Sequence, residues 1–196
     1  MIIWINGAFG TGKSTTAERL HRRLPNSFVY DPEEAGYFIR KNIPAELHQS
    51  DFQDHIMWRE INLSMLSRMA RGYSGTIIAP MTLVNPAYFE ELVGGLRASG
   101  IEVRHFALLA ERETLLQRLN SRGDGADSWS AHQIDRCLAA LTQERFGEHI
   151  RTDDSTSEQV VEHIAAACGF ELETLDQNGL HKREEPLADT FKGSRI

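Results

Sequence analysis

The chain has 196 residues, 41% of them hydrophobic and 25% charged, with a formal charge of -7. That length corresponds to one domain, or one domain with a small lid, and supplies enough apolar residues for a substantial core. The acidic balance argues against nucleic acid as a partner and favours a small molecule, with the oligomeric state open between monomer and homodimer.

Cys137 and Cys168 form neither a C-x-x-C pair nor part of a zinc-spaced cluster, as expected of a reduced, cytoplasmic protein. No apolar run approaches membrane-span length and the first residues lack a signal pattern, so membrane contact is expected to be weak at most.

The stretch Met1 to Thr16, MIIWINGAFGTGKSTT, organises the chain. Its apolar run Ile2 to Ile5 reads as a buried strand, and Gly7 to Ser14 matches the phosphate-binding pattern G-x-x-x-x-G-K-[ST]. Gly7, Ala8, Phe9, Gly10, Thr11, Gly12, Lys13, Ser14 and Thr15 are therefore the expected nucleotide site. Backbone N–H groups and the positive end of the next helix would face the phosphates of ATP. Lys13 would reach the outer phosphates and Ser14 would ligate Mg²⁺.

Ala17, Leu20 and Leu24 give that helix its apolar face, and Pro25-Asn26 closes it. Ser27 to Tyr30 is a short second strand ending at Asp31-Pro32-Glu33-Glu34. Asp31 has two readings. It is a helix N-cap, with Pro32 at the first helical position and Glu34 completing a capping box. It is also an acid at a parallel strand's carboxyl end, placed to accept the proton of a substrate hydroxyl.

The next helix, Pro32 to Asn42, carries Tyr37 and Arg40. Ser50-x-x-Gln53 predicts a capping box that opens a long helix from about Asp51 to Arg71, with Phe52, Ile56, Ile61, Leu63, Met65, Leu66 and Met69 on its apolar face. Trp58 reads either as a stacking platform for a flat substrate or as a core aromatic. Arg40 and Arg59 read either as holders of a substrate anion or as solvated surface charges.

Gly75 to Pro80 is the third strand, and Pro80-Met81-Thr82 follows it where an acid would be expected. Asn85 and Pro86 open a helix to about Ala98, Ile101 to Leu109 is the fourth strand, and Glu111 to Arg122 is helical. A glycine-containing loop then leads to Ser130-x-x-Gln133, which predicts a helix to about Phe146. Arg118, Arg122 and Arg136 flank this loop and read as a phosphate-clamping lid over about residues 118–136, or as solvated arginines on a helical hairpin. Glu148 to Thr152 is a fifth strand, and Asp153 to Thr156 caps a last helix to about Cys168, with both Ser155–Glu158 and Thr156–Gln159 at capping-box spacing.

The alternation of strand and helix implies a three-layer α/β sandwich of the P-loop kinase-like type. It has a five-stranded parallel sheet covered by helices on both faces, with a small helical lid. Residues 1–170 form the domain, and 171–196 a polar tail.

The segments MIIWINGAFGTGKSTTAERLHRRLP, FVYDPEE, IIAPMTLVNPAYF, VRHFALLAERETLLQRL and SWSAHQIDRCL resemble the bacterial tunicamycin-resistance proteins, a group of nucleoside-kinase-like P-loop proteins. The similarity runs over roughly Met1 to Ala167. It implies an ATP-binding phosphotransferase acting on a nucleoside-type antibiotic or a related nucleoside. An ATP-gated binding protein and a metabolic sugar or nucleoside kinase are the alternatives.

Asp31-Pro32 is similar to the Glu-Pro pair of deoxynucleoside kinases, whose acid is the general base. The acidic-arginine pair those enzymes carry after the third strand is replaced here by Pro80-Met81-Thr82. Family proteins are associated with membranes through an amphipathic carboxyl-terminal segment. Pro186 and the mixed charges of His181 to Glu185 make such a helix poor in this chain.

Overall fold

The computed structural model describes residues 1–125 and 127–174. The carboxyl-terminal segment with Pro186, read from sequence as a polar tail, lies outside the described residues beyond 174.

Five parallel strands, β1 (Ile2–Gly7), β2 (Ser27–Val29), β3 (Thr76–Pro80), β4 (Val103–Leu109) and β5 (Glu148–Arg151), form one sheet in the order β2-β3-β1-β4-β5. β1 is central because it is apolar on both faces, as a strand covered by helices on either side must be. Ile2 and Trp4 pack into one core with Ile77, Ala79 and Ala107. Ile3 and Ile5 pack into the other with Ile78, Phe106 and Leu108.

The second core is closed by α1 (Lys13–Arg23) and α9 (Ser157–Cys168), through Ala17, Leu20, Val161 and Ile164. The first is closed by α3 (Ile56–Gly72), by the run from α4 (Pro86–Phe89) through a π-helical Glu90–Gly94 to α5 (Gly95–Ala98), and by α6 (Arg112–Ser121), α7 (Trp129–His132) and α8 (Ile134–Leu141). Each fully buried large side chain contributes about 1.5–3 kcal/mol of apolar burial, so the two cores together fix the three layers.

Register places the site. Ile5 of β1 aligns with Pro80 of β3, and Gly7 aligns with Leu108 of β4. The carboxyl ends of three strands thus form one ledge, on which the loop between β1 and α1 sits.

Several capping expectations hold in atomic detail. The Asn85 side chain accepts from the Ala87 N–H at 2.9 Å, and Thr156 and Gln159 form a reciprocal capping box.

Two helix starts differ from the sequence reading. Asp51, not Ser50, accepts from the Gln53 N–H, and it opens only a short 3-10 turn, Phe52–Asp54. The chain is extended at His55 before α3 begins at Ile56. Ser128, not Ser130, caps α7 by accepting from the Ala131 N–H, and the expected helix to Phe146 is divided into α7, α8 and a 3-10 turn Glu144–Phe146.

The inward face of α3 also differs. Trp58, Asn62 and Leu66 are its buried residues, whereas Ile56 and Met65 are exposed. Asn62 is tolerated there because its amide is satisfied, accepting from Tyr30 Oη at 2.7 Å and donating to the Trp58 carbonyl at 2.8 Å.

Candidate nucleotide and acceptor site

The β1–α1 loop is built around one carbonyl. The Ala8 oxygen accepts from the Thr11 N–H at 3.2 Å, from Thr11 Oγ1 at 2.8 Å and from Lys13 Nζ at 3.1 Å. Three donors on one acceptor curl the backbone into a nest.

Glycine is required where the curl is tightest. A Cβ on Gly7 would lie 2.4 Å from Thr11 Oγ1 and 2.9 Å from the Leu108 carbonyl, and Gly12 has φ of +92° immediately before α1. α1 begins with no side-chain cap and no acid in its first turn. Its first N–H groups therefore open onto the cavity, the arrangement that favours an anion.

The loop is anchored from behind by Asn6, whose amide makes its full set of four hydrogen bonds. Oδ1 accepts from the Gly7 and Leu83 N–H groups, and Nδ2 donates to the Leu83 carbonyl and to His105 Nε2. Burial pushes His105 down to about 3, so this imidazole is neutral and accepts from Asn6. Thr82 Oγ1 donates to the Gly7 carbonyl at 2.8 Å. Pro80-Met81-Thr82 stands where an acid was expected, and Thr82 with the following Leu83 braces the loop.

Two cavities adjoin the nest on its phosphate side. One, of about 270 Å³, lies between Gly10, Gly12, Thr15, Arg118, Arg122 and Thr152. The other, of about 370 Å³, is lined by Phe9, Lys13, Ser14, Asp31, Glu33 and Arg122, among others. Burial pulls the Lys13 ammonium down to about 8, with the charge of Glu33 partly opposing that shift.

A third cavity, of about 330 Å³, continues away from the loop. It is walled by Tyr37, Phe52, Met81 and Trp129 and carries the polar groups of Arg40 and Gln53. Phe9, Glu33 and Ser130 line both this cavity and the loop cavity beside it. The Phe9 and Trp129 rings meet edge to face at 5.2 Å, which ties the segment after α6 to the phosphate loop.

The expected nucleotide residues Gly7 to Thr15 form the nest and its rim. Asp31 is exposed, and its Oδ1 caps α2 (Glu33–Asn42) by accepting from the Glu33 N–H at 2.9 Å. Tyr37 and Arg40 line the third cavity. Arg40 donates to the Gln49 and Ser50 carbonyls and lies 5.7 Å from the centre of the Phe52 ring.

Arg118 faces the first cavity while donating to Thr152 Oγ1 at 3.0 Å and to the Thr152 carbonyl at 2.5 Å. Arg122 lines both phosphate-side cavities.

Three expected site residues take other roles. Trp58 is a core residue and not a stacking platform: it is fully buried and its Nε1 donates to the Pro32 carbonyl at 2.9 Å. Arg59 pairs with Glu91, donates to the Gln53 carbonyl and stacks over Tyr88 at 4.1 Å, so its charge braces α3 and does not meet a substrate anion. Arg136 reaches Asp51 at 3.4 Å and lines neither phosphate-side cavity, so it does not clamp a phosphate in this arrangement.

Glu33 is the residue that sequence reading passed over. It was visible only as an acid in the first turn of α2, and burial pushes its carboxyl up from the ordinary range.

The fold and the nest define a P-loop nucleotide-binding protein of kinase-like architecture. Residues 2–144 match the AAA domain family. The chain is 36% identical to the tunicamycin resistance protein of Deinococcus radiodurans, covering 88% of this chain and 98% of that one with a TM-score of 0.75. It belongs to the AAA domain family and to the tunicamycin-resistance family.

A gluconokinase of Sinorhizobium meliloti shares the fold at 16% identity, with coverage of 85% and 90% and a TM-score of 0.60. A nucleotide-binding protein of Methylococcus capsulatus is 27% identical over 86% of this chain and 53% of its own length. The chain therefore spans about half the length of that curated relative. Among the described residues, no helix is long and apolar enough to cross a membrane.

Proposed function

We propose that this protein is an ATP-dependent phosphotransferase that moves the γ-phosphoryl group to a hydroxyl of a nucleoside-type antibiotic of the tunicamycin kind, or of a related nucleoside. The observation that carries this reading is the junction of the phosphate-loop cavity with a second, ring-walled cavity. A protein that only hydrolysed ATP has no use for a room of about 330 Å³ opening onto the phosphates.

The residues fit a nucleotide. The nest, the uncapped start of α1 and Lys13 supply donors and charge for the phosphates, and Arg118 and Arg122 stand beside them. Ser14 is the proposed Mg²⁺ ligand. Among the described residues there is no group of three or more His, Cys, Asp or Glu side chains that could hold a metal ion, and Ser14 would hold the ion together with the phosphates of a bound nucleotide. At Ser14 the ion would supply charge neutralisation to the transferring group. Tyr37 and Arg40 line the cavity proposed for the acceptor, and the carboxylates of Asp31 and Glu33 line the loop cavity with Lys13.

A second reading, a protein that sequesters the antibiotic without altering it, is favoured only by the replacement of the acid after β3 with Pro80-Met81-Thr82. Thermal shift with tunicamycin, nucleosides and hexoses, each with and without Mg·ATP, tests the proposal. An acceptor that stabilises further when a non-hydrolysable ATP analogue is present supports it. Stabilisation by nucleotide alone, with no response to any acceptor, would count against it.

A further inference from the structure

The loop cavity beside Lys13 and the ring-walled cavity share three lining residues, Phe9, Glu33 and Ser130. Phosphoryl transfer takes place where donor and acceptor meet, so any group that receives the acceptor's proton must stand at that junction. Phe9 has no side-chain lone pair, and a serine hydroxyl is a poor base near neutral pH. Glu33 is the carboxylate at the junction. Asp31 lines the loop cavity only, and its Oδ1 is engaged in capping α2.

The Glu33 carboxylate is also oriented from the acceptor side. Tyr37, whose ring walls that cavity, donates its hydroxyl to Glu33 Oε2 at 3.0 Å.

We infer that Glu33, not Asp31, is the base that accepts the proton of the acceptor hydroxyl, an inference that rests on the phosphotransferase reading. The acceptor oxygen forms a bond to the γ-phosphorus of ATP, and the bond from that phosphorus to the bridging oxygen breaks with its electron pair leaving on ADP. The hydroxyl proton passes to a Glu33 carboxylate oxygen and then to water. Asp31 acts through α2, holding the first turn that carries Glu33, and is a positioning residue.

The charges and titratable groups acting on Glu33 are Asp31 and Glu34 from its own turn, Tyr37 one turn on, and Lys13 from α1. Burial raises its proton affinity, while Tyr37 and Lys13 favour the ionised form. Activity should therefore rise with pH along a limb set above the ordinary carboxylate range. Removing the Tyr37 hydroxyl should move that limb to still higher pH.

The test measures product formation from Mg·ATP with tunicamycin, a set of nucleosides and free hexoses. It compares the unaltered protein with Glu33→Gln, Glu33→Asp, Asp31→Asn and Tyr37→Phe, and measures ATP affinity and thermal midpoint alongside. Expected is a fall in kcat of at least about 100-fold for Glu33→Gln with ATP affinity kept, and partial recovery in Glu33→Asp. A loss below about tenfold is expected for Asp31→Asn, and an upward shift of the acid limb for Tyr37→Phe.

Glu33→Gln within about threefold of the unaltered protein, or Asp31→Asn taking the larger loss, would overturn the assignment and leave phosphotransfer standing. If Glu33→Gln does not fold, an unmoved acid limb in Tyr37→Phe overturns it equally. Failure of the unaltered protein to phosphorylate any of these acceptors overturns the phosphotransferase reading and this assignment with it.

Discussion

Lys13 links the pH of the medium to nucleotide affinity in a direction the structure fixes. Its ammonium is buried against the Ala8 carbonyl, and burial lowers its pKa from 10.5 to about 8. A triphosphate brought beside it favours the charged form, so binding raises that pKa and takes up a proton wherever the unliganded lysine has lost one. With a free-state value of about 8, about nine-tenths of the lysine is charged at pH 7 and about 3% at pH 9.5.

ATP affinity should fall by about 30-fold over that range, about 2 kcal/mol, if the bound lysine stays charged throughout. Titration calorimetry in two buffers of different ionisation enthalpy reads both the affinity and the proton count. Uptake should grow from about 0.1 to nearly one proton, and Lys13→Met should abolish the growth. The same lysine acts on folding with a definite sign. Its folded-state pKa is below the unfolded value, so between about 8 and 10.5 the unfolded chain holds more protons and this group's contribution to stability rises with pH. Equal ATP affinity at pH 7 and 9.5, with proton uptake the same in Lys13→Met, would refute the argument.

The loop and the core offer further checks. Gly7→Ala puts a methyl against Thr11 Oγ1 and the Leu108 carbonyl and should abolish measurable ATP binding by calorimetry. Retained affinity would mean the nest is looser than described. Trp58→Ala should lower the urea unfolding free energy by about 3–5 kcal/mol, whereas a loss below about 1 kcal/mol would place the indole outside the core. Arg118→Ala removes the guanidinium between the loop and Thr152 and should weaken ATP about five- to tenfold by about 1 kcal/mol. Unchanged affinity would assign Arg118 to bracing Thr152 alone.

What the sequence made legible was local. The strand, glycine loop and helix from Ile2 to Arg23 depend on near neighbours and on a spacing that few other structures need, and the Thr156–Gln159 box is equally self-contained. The start of α3 was misplaced because Ser50 and Asp51 offer competing caps, and the backbone at His55 chose the shorter turn. Counting apolar residues at helical spacing put Ile56 and Met65 inward. The Pro32 carbonyl and the Tyr30 hydroxyl, both distant in sequence, turned α3 so that Trp58 and Asn62 face the core. Glu33 has no local signature. Its surroundings, Lys13, Tyr37 and two cavities, exist only once α1, α2 and the segment around Ser130 are assembled.

We propose that the γ-phosphoryl group goes to an acceptor seated in the ring-walled cavity. The most direct test follows the fate of a labelled γ-phosphoryl group of ATP in the presence of Mg²⁺ and tunicamycin, scoring transfer to the antibiotic and to water in one reaction. Expected is an antibiotic product heavier by one phosphoryl group, formed in step with ADP and with little free phosphate. ADP formation matched by free phosphate, with the antibiotic unchanged in mass, would contradict it.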